Sequence, residues 1–178
     1  MKINMGCGWR NFGPEWIHID GGDYDHVDST DIFLNNYQNN SIDLIYASHF
    51  IEYFDQEEVV PLLENWKKVL KPNGILRLAV PDFEVCNKLY FKQNFSIEYF
   101  IGPLFGKMKM GDKTIFHKTA YDFHSLKKLL ISVGMKKIRK YDWEETSHSK
   151  YDDHSQAYLP HMDKENGTLI SLNVECVK

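Results

Sequence analysis

At 178 residues, 43% hydrophobic and 26% charged, the chain has the size and composition of one soluble globular domain, able to bury a core without staples. It shows no apolar run near the ~20 residues of a membrane span. It opens with no basic-then-apolar leader, and Cys7, Cys86 and Cys176 form no CxxC pair, so a cytoplasmic location with reduced thiols is expected. The net charge of −4 is uneven: 2 basic and 12 acidic residues lie in 1–66, 16 and 5 in 67–140, and 3 and 8 in 141–178. A basic middle section can steer an anionic substrate, unless its lysines are simply solvated helix faces.

The chain starts with a short apolar strand, Lys2-Ile3-Asn4-Met5, running into Gly6-Cys7-Gly8. Glycines at such a turn let backbone amides approach a ligand. The next apolar run, Trp16-Ile17-His18-Ile19, ends in Asp20, and a carboxylate at that strand tip is placed to grip a ribose diol. Only Trp9 to Glu15 separates the two runs, and Gly13-Pro14 breaks even that stretch. A crossover helix needs about ten or more residues, so this one must be reduced. Without a helix N-terminus to cradle a pyrophosphate, a nucleoside cofactor lacking phosphates is favoured.

A weak third strand is expected around His26-Val27-Asp28 and a strong buried one at Ser41 to Ala47. Asp55 and Glu58 have capping-box spacing, and Val59, Leu62, Leu63, Trp66 and Leu70 mark one helical face. Pro61 implies either a helix starting nearer Val60 or a kink. Asn73-Gly74 stops this helix, and a strand follows over Ile75 to Val80, ended by Pro81-Asp82. Residues 84–118 read as an aromatic, lysine-rich insert or lid. Asp122 caps a further amphipathic helix closed by Gly134, and a strand follows over Lys137 to Trp143. Residues 144–167 form a polar loop too long for a plain hairpin. In the last strand Ile170, Leu172, Val174 and Cys176 alternate with Ser171, Asn173 and Glu175. The expected architecture is a single α/β domain over 1–178. It is a Rossmann-like three-layer sandwich with a seven-stranded, mostly parallel sheet ending in an antiparallel strand pair.

Five ordered blocks carry a resemblance across nearly the whole chain: Ile3-Asn4-Met5-Gly6-Cys7-Gly8, Trp16-Ile17-His18-Ile19-Asp20, Tyr46-Ala47-Ser48-His49-Phe50-Ile51-Glu52, Leu70-Lys71-Pro72-Asn73-Gly74 and Val80-Pro81-Asp82. The chain resembles the class I methyltransferases that use S-adenosylmethionine (AdoMet). More narrowly, it is similar to small predicted bacterial members with a LNLGCG, YASH, LKPGG and VPD frame. The resemblance implies that Gly6, Cys7 and Gly8 underlie the methionine part of AdoMet and that Asp20 accepts both ribose hydroxyls. It further implies that Asp31 and the Ile32 backbone read the adenine edge, and that Ser48 and His49 lie beside the sulfonium. S-adenosylhomocysteine (AdoHcy) would be the product. The frame is broken at Glu52-Tyr53, where the family has Glu-His, and at Asn73, where it has glycine. The helix that often precedes the first strand and roofs the cofactor is missing from the pattern, leaving the insert or a partner subunit to cover the site.

For chemistry, His49 is the first general-base candidate and His117 the second. Asp82, Tyr121, Asp152, Asp153 and Ser155 are substrate-binding candidates, each weighed against a capping or packing role. The eight histidines show no HxxxH or HExxH spacing, so no metal is expected. The aromatic insert suits a packed helix pair or a homodimer surface better than a nucleic-acid platform. The expected function is AdoMet-dependent methyl transfer to an O or N acceptor on a small or glycan-like, anionic molecule. A non-catalytic AdoMet-binding or scaffold protein is the alternative. An NAD(P)-dependent reductase is disfavoured by the missing glycine-led helix and the absence of a Tyr-x-x-x-Lys pair.

Overall fold

The computed structural model describes residues 1–110 and 112–178; Gly111, within the expected insert, lies outside the described residues. Strands β1 (Lys2–Met5), β2 (Trp16–Ile19) and β3 (Ile42–Ser48) lead to helix α1 (Gln56–Val69) and the long strand β4 (Leu70–Pro81). The insert then contributes α2 (Phe83–Gln93), α3 (Glu98–Phe105) and a hairpin of β5 (Met108–Met110) with β6 (Lys113–Ile115). Helix α4 (Phe123–Ser132) and β7 (Lys136–Lys140) follow, then a two-strand ladder of β8 (Tyr158–Leu159) with β9 (Thr168–Leu169), and finally β10 (Ser171–Val177).

The main sheet has 6 strands in the order β2-β1-β3-β4-β10-β7, not the seven expected. The third expected strand survives only as a single bridge from Ile19 to Ser29, because His26-Val27-Asp28 sits among polar residues with too little apolar surface to hold a longer ladder. Strands β1 to β4 pair in parallel, while β10 runs antiparallel to both β4 and β7. The antiparallel end of the sheet is therefore as expected, with the last strand inserted between its neighbours.

Helix α1 begins at Gln56 through a complete Asp55–Glu58 capping box and runs through Pro61, so the helix does not start late near Val60. It buries Val59, Leu62, Leu63 and Trp66 against Ile3, Met5, Ile45, Leu78 and Val174 on one face of the sheet, together with Leu126 and Leu130 of α4. Each such aliphatic side chain contributes roughly 1.5–3 kcal/mol on burial.

The other face is built differently. The connection from Gly6 to Glu15 holds no helix at all. His18, Asn4, Tyr46, Arg77, Glu175 and Arg139 are cross-strand neighbours in a polar row that traverses the sheet from β2 to β7. What covers it is the polar segment between β7 and β8. His148 sits on the Tyr46 ring at 4.2 Å between centroids and places Nε2 3.2 Å from Arg77 Nη1. Tyr151 stacks on Phe12 at 4.5 Å and donates its hydroxyl to the Phe12 carbonyl at 2.7 Å. The alternation Ser171, Asn173, Glu175 thus marks a face buried under a loop rather than one facing water; Glu175 accepts forked hydrogen bonds from Arg77 and Arg139. A buried charge is tolerated when it is paired in this way.

Candidate active site

The carboxyl ends of β1, β2 and β3 lie side by side, the place where open α/β sheets bind ligands. After β1 the chain turns through Gly6 at φ 67° and Gly8 at φ 54°, left-handed conformations that cost residues with a Cβ. A Cβ on Gly6 would lie 2.4 Å from Phe50 Cδ2, whereas one on Gly8 would meet nothing within 4 Å. Gly6 is therefore held by the Phe50 ring, and Gly8 borders open space.

Asp20 ties this turn to the next. Its Oδ2 accepts from the Gly8 amide at 2.8 Å and its Oδ1 from the Gly22 amide at 2.7 Å. Each carboxylate oxygen has a further lone pair for a ligand hydroxyl. Cys7 is buried, its thiol pushed up to about 12 first by burial and then by Asp20, so it is an inert packing group. Met110 of the insert hairpin reaches this rim: a Cβ on Gly21 would lie 2.9 Å from its sulfur. The insert thus borders the turn that follows Asp20.

Asp31 and Ile32 are engaged locally. The Asp31 carboxylate accepts from Asn35 Nδ2 and the Asn36 amide, each at 3.2 Å. The Ile32 carbonyl accepts from Trp66 Nε1 at 2.7 Å and its amide donates to Thr30.

At the end of β3, Ser48 leaves its hydroxyl without a partner and His49 adopts φ 50°. A non-glycine residue in this region carries backbone strain of the kind that clusters at functional sites. Burial, reinforced by nearby His154, His117 and Arg10, depresses the His49 pKa well below the ordinary histidine value, so the ring is neutral near pH 7 and a competent proton acceptor. Its Nε2 has no protein partner.

Three residues around His49 were assigned no role in the sequence. Glu52, one turn on, is 1% exposed, and neither of its oxygens is hydrogen-bonded. An unpaired buried charge costs several kcal/mol, and burial accordingly pushes the Glu52 carboxyl up to about 8. His154 lies edge-on to His49 with centroids 4.7 Å apart. Arg10, from the turn after Gly8, donates Nε to the Asp152 carbonyl at 2.8 Å. Burial of Glu52 cannot be read from spacing, and His154 is one of three histidines in an unpatterned polar loop.

His117 does meet this cluster. Its Nε2 is 3.7 Å from Glu52 Oε1, His49 Nδ1 is 3.6 Å from the same oxygen, and the His117 ring packs on Tyr53 at 4.6 Å. The insert thus brings a histidine to Glu52. Among the described residues no group of three or more His, Cys, Asp and Glu side chains is placed to hold a metal ion.

The substrate candidates are placed as pins. Asp82 is buried, caps α2 through the Glu84 and Val85 amides, and has Lys140 Nζ 3.9 Å from its second oxygen. Tyr121 is buried in the core and bridges Asp82 through the backbone. Asp153 accepts from the Tyr46 hydroxyl at 2.5 Å and the Ser155 amide at 2.8 Å, and the Ser155 carbonyl accepts from Asn173 at 2.9 Å. These two pins flank His154 and carry it onto His49. Asp152 is exposed and pairs with Lys164 at 3.0 Å.

Residues 16–78 match the family model described as a methyltransferase domain. A SAM-dependent methyltransferase from Archaeoglobus fulgidus is similar over 99% of this chain and 85% of its own, at 16% identity and a TM-score of 0.60. The fold is that of the class I AdoMet-dependent methyltransferases. An S-adenosylmethionine-dependent methyltransferase from Mesorhizobium loti is similar over 99% of this chain and 90% of its own, at 14% identity and TM-score 0.54. The 1,6-didemethyltoxoflavin-N1-methyltransferase of Burkholderia thailandensis, solved with bound 1,6-didemethyltoxoflavin and S-adenosylhomocysteine, is similar over 99% of this chain and 70% of its own, at 10% identity and TM-score 0.55. No protein of curated function matches the chain in sequence. Within this methyltransferase fold, the glycine turn, Asp20 and the end of β3 form the open end of the sheet. Among the described residues no helix is long and apolar enough to cross a membrane.

Proposed function

We propose that the chain is an AdoMet-dependent methyltransferase acting on an O or N acceptor of a small or glycan-like, anionic molecule. The observation that carries this reading is the junction of the Gly6–Gly8 turn with Asp20 through the Gly8 amide, beside the unpartnered Ser48 hydroxyl and His49 Nε2. These residues fit the cofactor. The Gly8 turn borders open space, Asp20 has acceptor capacity left for a ribose diol, and the orphaned polar atoms at the end of β3 need a ligand to satisfy them. Gly6, Cys7 and Gly8 would hold its amino-acid end.

When bound, AdoMet supplies a methyl group already activated by positive sulfur, so positioning and exclusion of water provide much of the catalysis. His49, kept neutral by burial, takes the acceptor's proton at Nε2. Arg10 and the basic residues of the chain's middle section favour an anionic acceptor.

Calorimetry with AdoMet, AdoHcy and NADH tests the cofactor. Binding of NADH without AdoMet or AdoHcy would overturn the reading. Asp20→Ala should weaken AdoHcy at least ~10-fold, as expected for losing one hydrogen bond to a charged group of ~1.5–3 kcal/mol; unchanged affinity would remove Asp20 from the ribose site. Methyl transfer from labelled AdoMet into fractionated cell extract separates an enzyme from a binding protein and identifies the acceptor.

A further inference from the structure

We infer that Glu52 and His117 are positioning residues aligned with His49 as one proton chain, fixing His49 with Nδ1 protonated and Nε2 bare for the acceptor. This deepens the methyltransferase reading and rests on it for the identity of the acceptor, though not for the chain itself.

The direction of the chain follows from an atom some distance from His49. His117 Nδ1 lies 3.0 Å from the Pro103 carbonyl oxygen. A carbonyl only accepts, so His117 Nδ1 carries the hydrogen, and a neutral His117 presents its Nε2 lone pair to Glu52. Both histidine nitrogens that face Glu52 approach the same oxygen, Oε1, at 3.6 Å from His49 Nδ1 and 3.7 Å from His117 Nε2. These distances are a few tenths of an ångström beyond hydrogen-bond reach, as catalytic contacts often are before a site closes on its ligands.

A buried Glu52 carboxyl keeps its proton near pH 7. Turned toward His49, that proton would leave the lone pair of His117 facing a carboxyl lone pair. Turned toward His117, it makes both contacts attractive: Glu52 donates to His117 Nε2 and accepts from His49 Nδ1–H. His49 Nε2 is then the bare nitrogen; it is buried and has no protein partner. The remaining titratable and charged neighbours do not compete. Tyr53 and Tyr121, which face Glu52, hold their protons, first because of burial and then because of Glu52 itself. Arg10 and His154 face His49.

The chain also gives the transferred proton a destination. As the acceptor oxygen or nitrogen gains its methyl, its bond to hydrogen breaks and the proton goes to His49 Nε2. His49 Nδ1–H passes to Glu52 Oε1, and the Glu52 proton passes to His117 Nε2. One proton enters, and the positive charge ends on His117, against the Pro103 carbonyl, which offsets part of the burial that disfavours charge on this ring. His117 would then act through Glu52 rather than by touching the substrate.

Long-range proton–nitrogen spectra of the histidine rings in the full chain test this without any acceptor. The wild type should show unprotonated Nε2 on both His49 and His117. His117→Phe keeps a ring against Tyr53 but removes the proton acceptor, so Glu52 should turn to His49 and convert it to the Nε2–H form. Glu52→Gln can donate to His117 but cannot also accept from His49 at the same atom, and should likewise disturb the His49 tautomer. A His49 ring that is Nε2–H in the wild type, or unchanged in both variants, overturns the proposal, since a merely structural role would leave it unmoved. AdoHcy titrated into the same wild-type sample separates the two readings. Predicted tautomers without AdoHcy binding support the proton chain and fault the methyltransferase reading; binding with the wrong tautomers does the reverse.

Discussion

Tyr46→Phe probes the contact that fastens the polar loop to the sheet. The tyrosine hydroxyl is buried and donates to Asp153 Oδ2 at 2.5 Å. Phenylalanine keeps the stacking on Phe12 and His148 but leaves the Asp153 carboxylate, 3% exposed, with only the Ser155 amide on its other oxygen. Hydrogen bonds to charged groups contribute ~1.5–3 kcal/mol, and for a chain of this length each kcal/mol shifts Tm by ~2–4 °C. The expected fall is therefore ~3–12 °C, read by scanning calorimetry. Because Asp153 and Ser155 flank His154, the resonances of His49 should shift in the same variant. A Tm within 1 °C of wild type, with His49 unmoved, would show that the loop is held by its aromatic stacking alone and that this hydrogen bond adds nothing.

Stability should also depend on Glu52 in a defined direction. Burial raises its carboxyl to about 8, so the folded chain binds this proton more tightly than the unfolded chain does. That stability is fully present below the ordinary value of 4.5 and is lost as pH rises toward 8. The urea midpoint of Glu52→Gln should therefore gain on the wild type steadily over that window, and parallel curves would refute the protonated carboxyl. Gly6→Ala meets the Phe50 ring and a left-handed backbone at once. It should lose at least ~1–2 kcal/mol from the backbone conformation alone, together with AdoHcy binding; a variant with wild-type melting and affinity would show that the Phe50 ring simply swings aside.

Local signals were read well where one element decides them. The strand–glycine start, Asp20, the Asp55–Glu58 box and the Asp122 cap depend on neighbours close in sequence, and all four are found where those neighbours put them. What could not be read depends on distant packing. Ser171, Asn173 and Glu175 alternate as a half-exposed strand would, because nothing in that strand reveals that residues 146–156 will cover it. Glu52 looks like any turn carboxylate until His49 and His117 close around it. Asp82, Asp153 and Ser155 have the side chains of a binding site, yet the structure spends their hydrogen bonds on capping α2 and pinning a loop.

The helix-free connection after β1 has a consequence for how the molecule is made. The aromatic surface of Phe12, Trp16 and Tyr46 is sealed by Tyr151 and His148, more than a hundred residues later in synthesis. On the ribosome the first three strands therefore emerge with one apolar side open, and no local helix arrives to close it. Such long-range closure slows folding and lengthens exposure to aggregation. Truncation before residue 146 should yield a chain that translates normally and fails to become a soluble monomer, even though every strand of its parallel core is present.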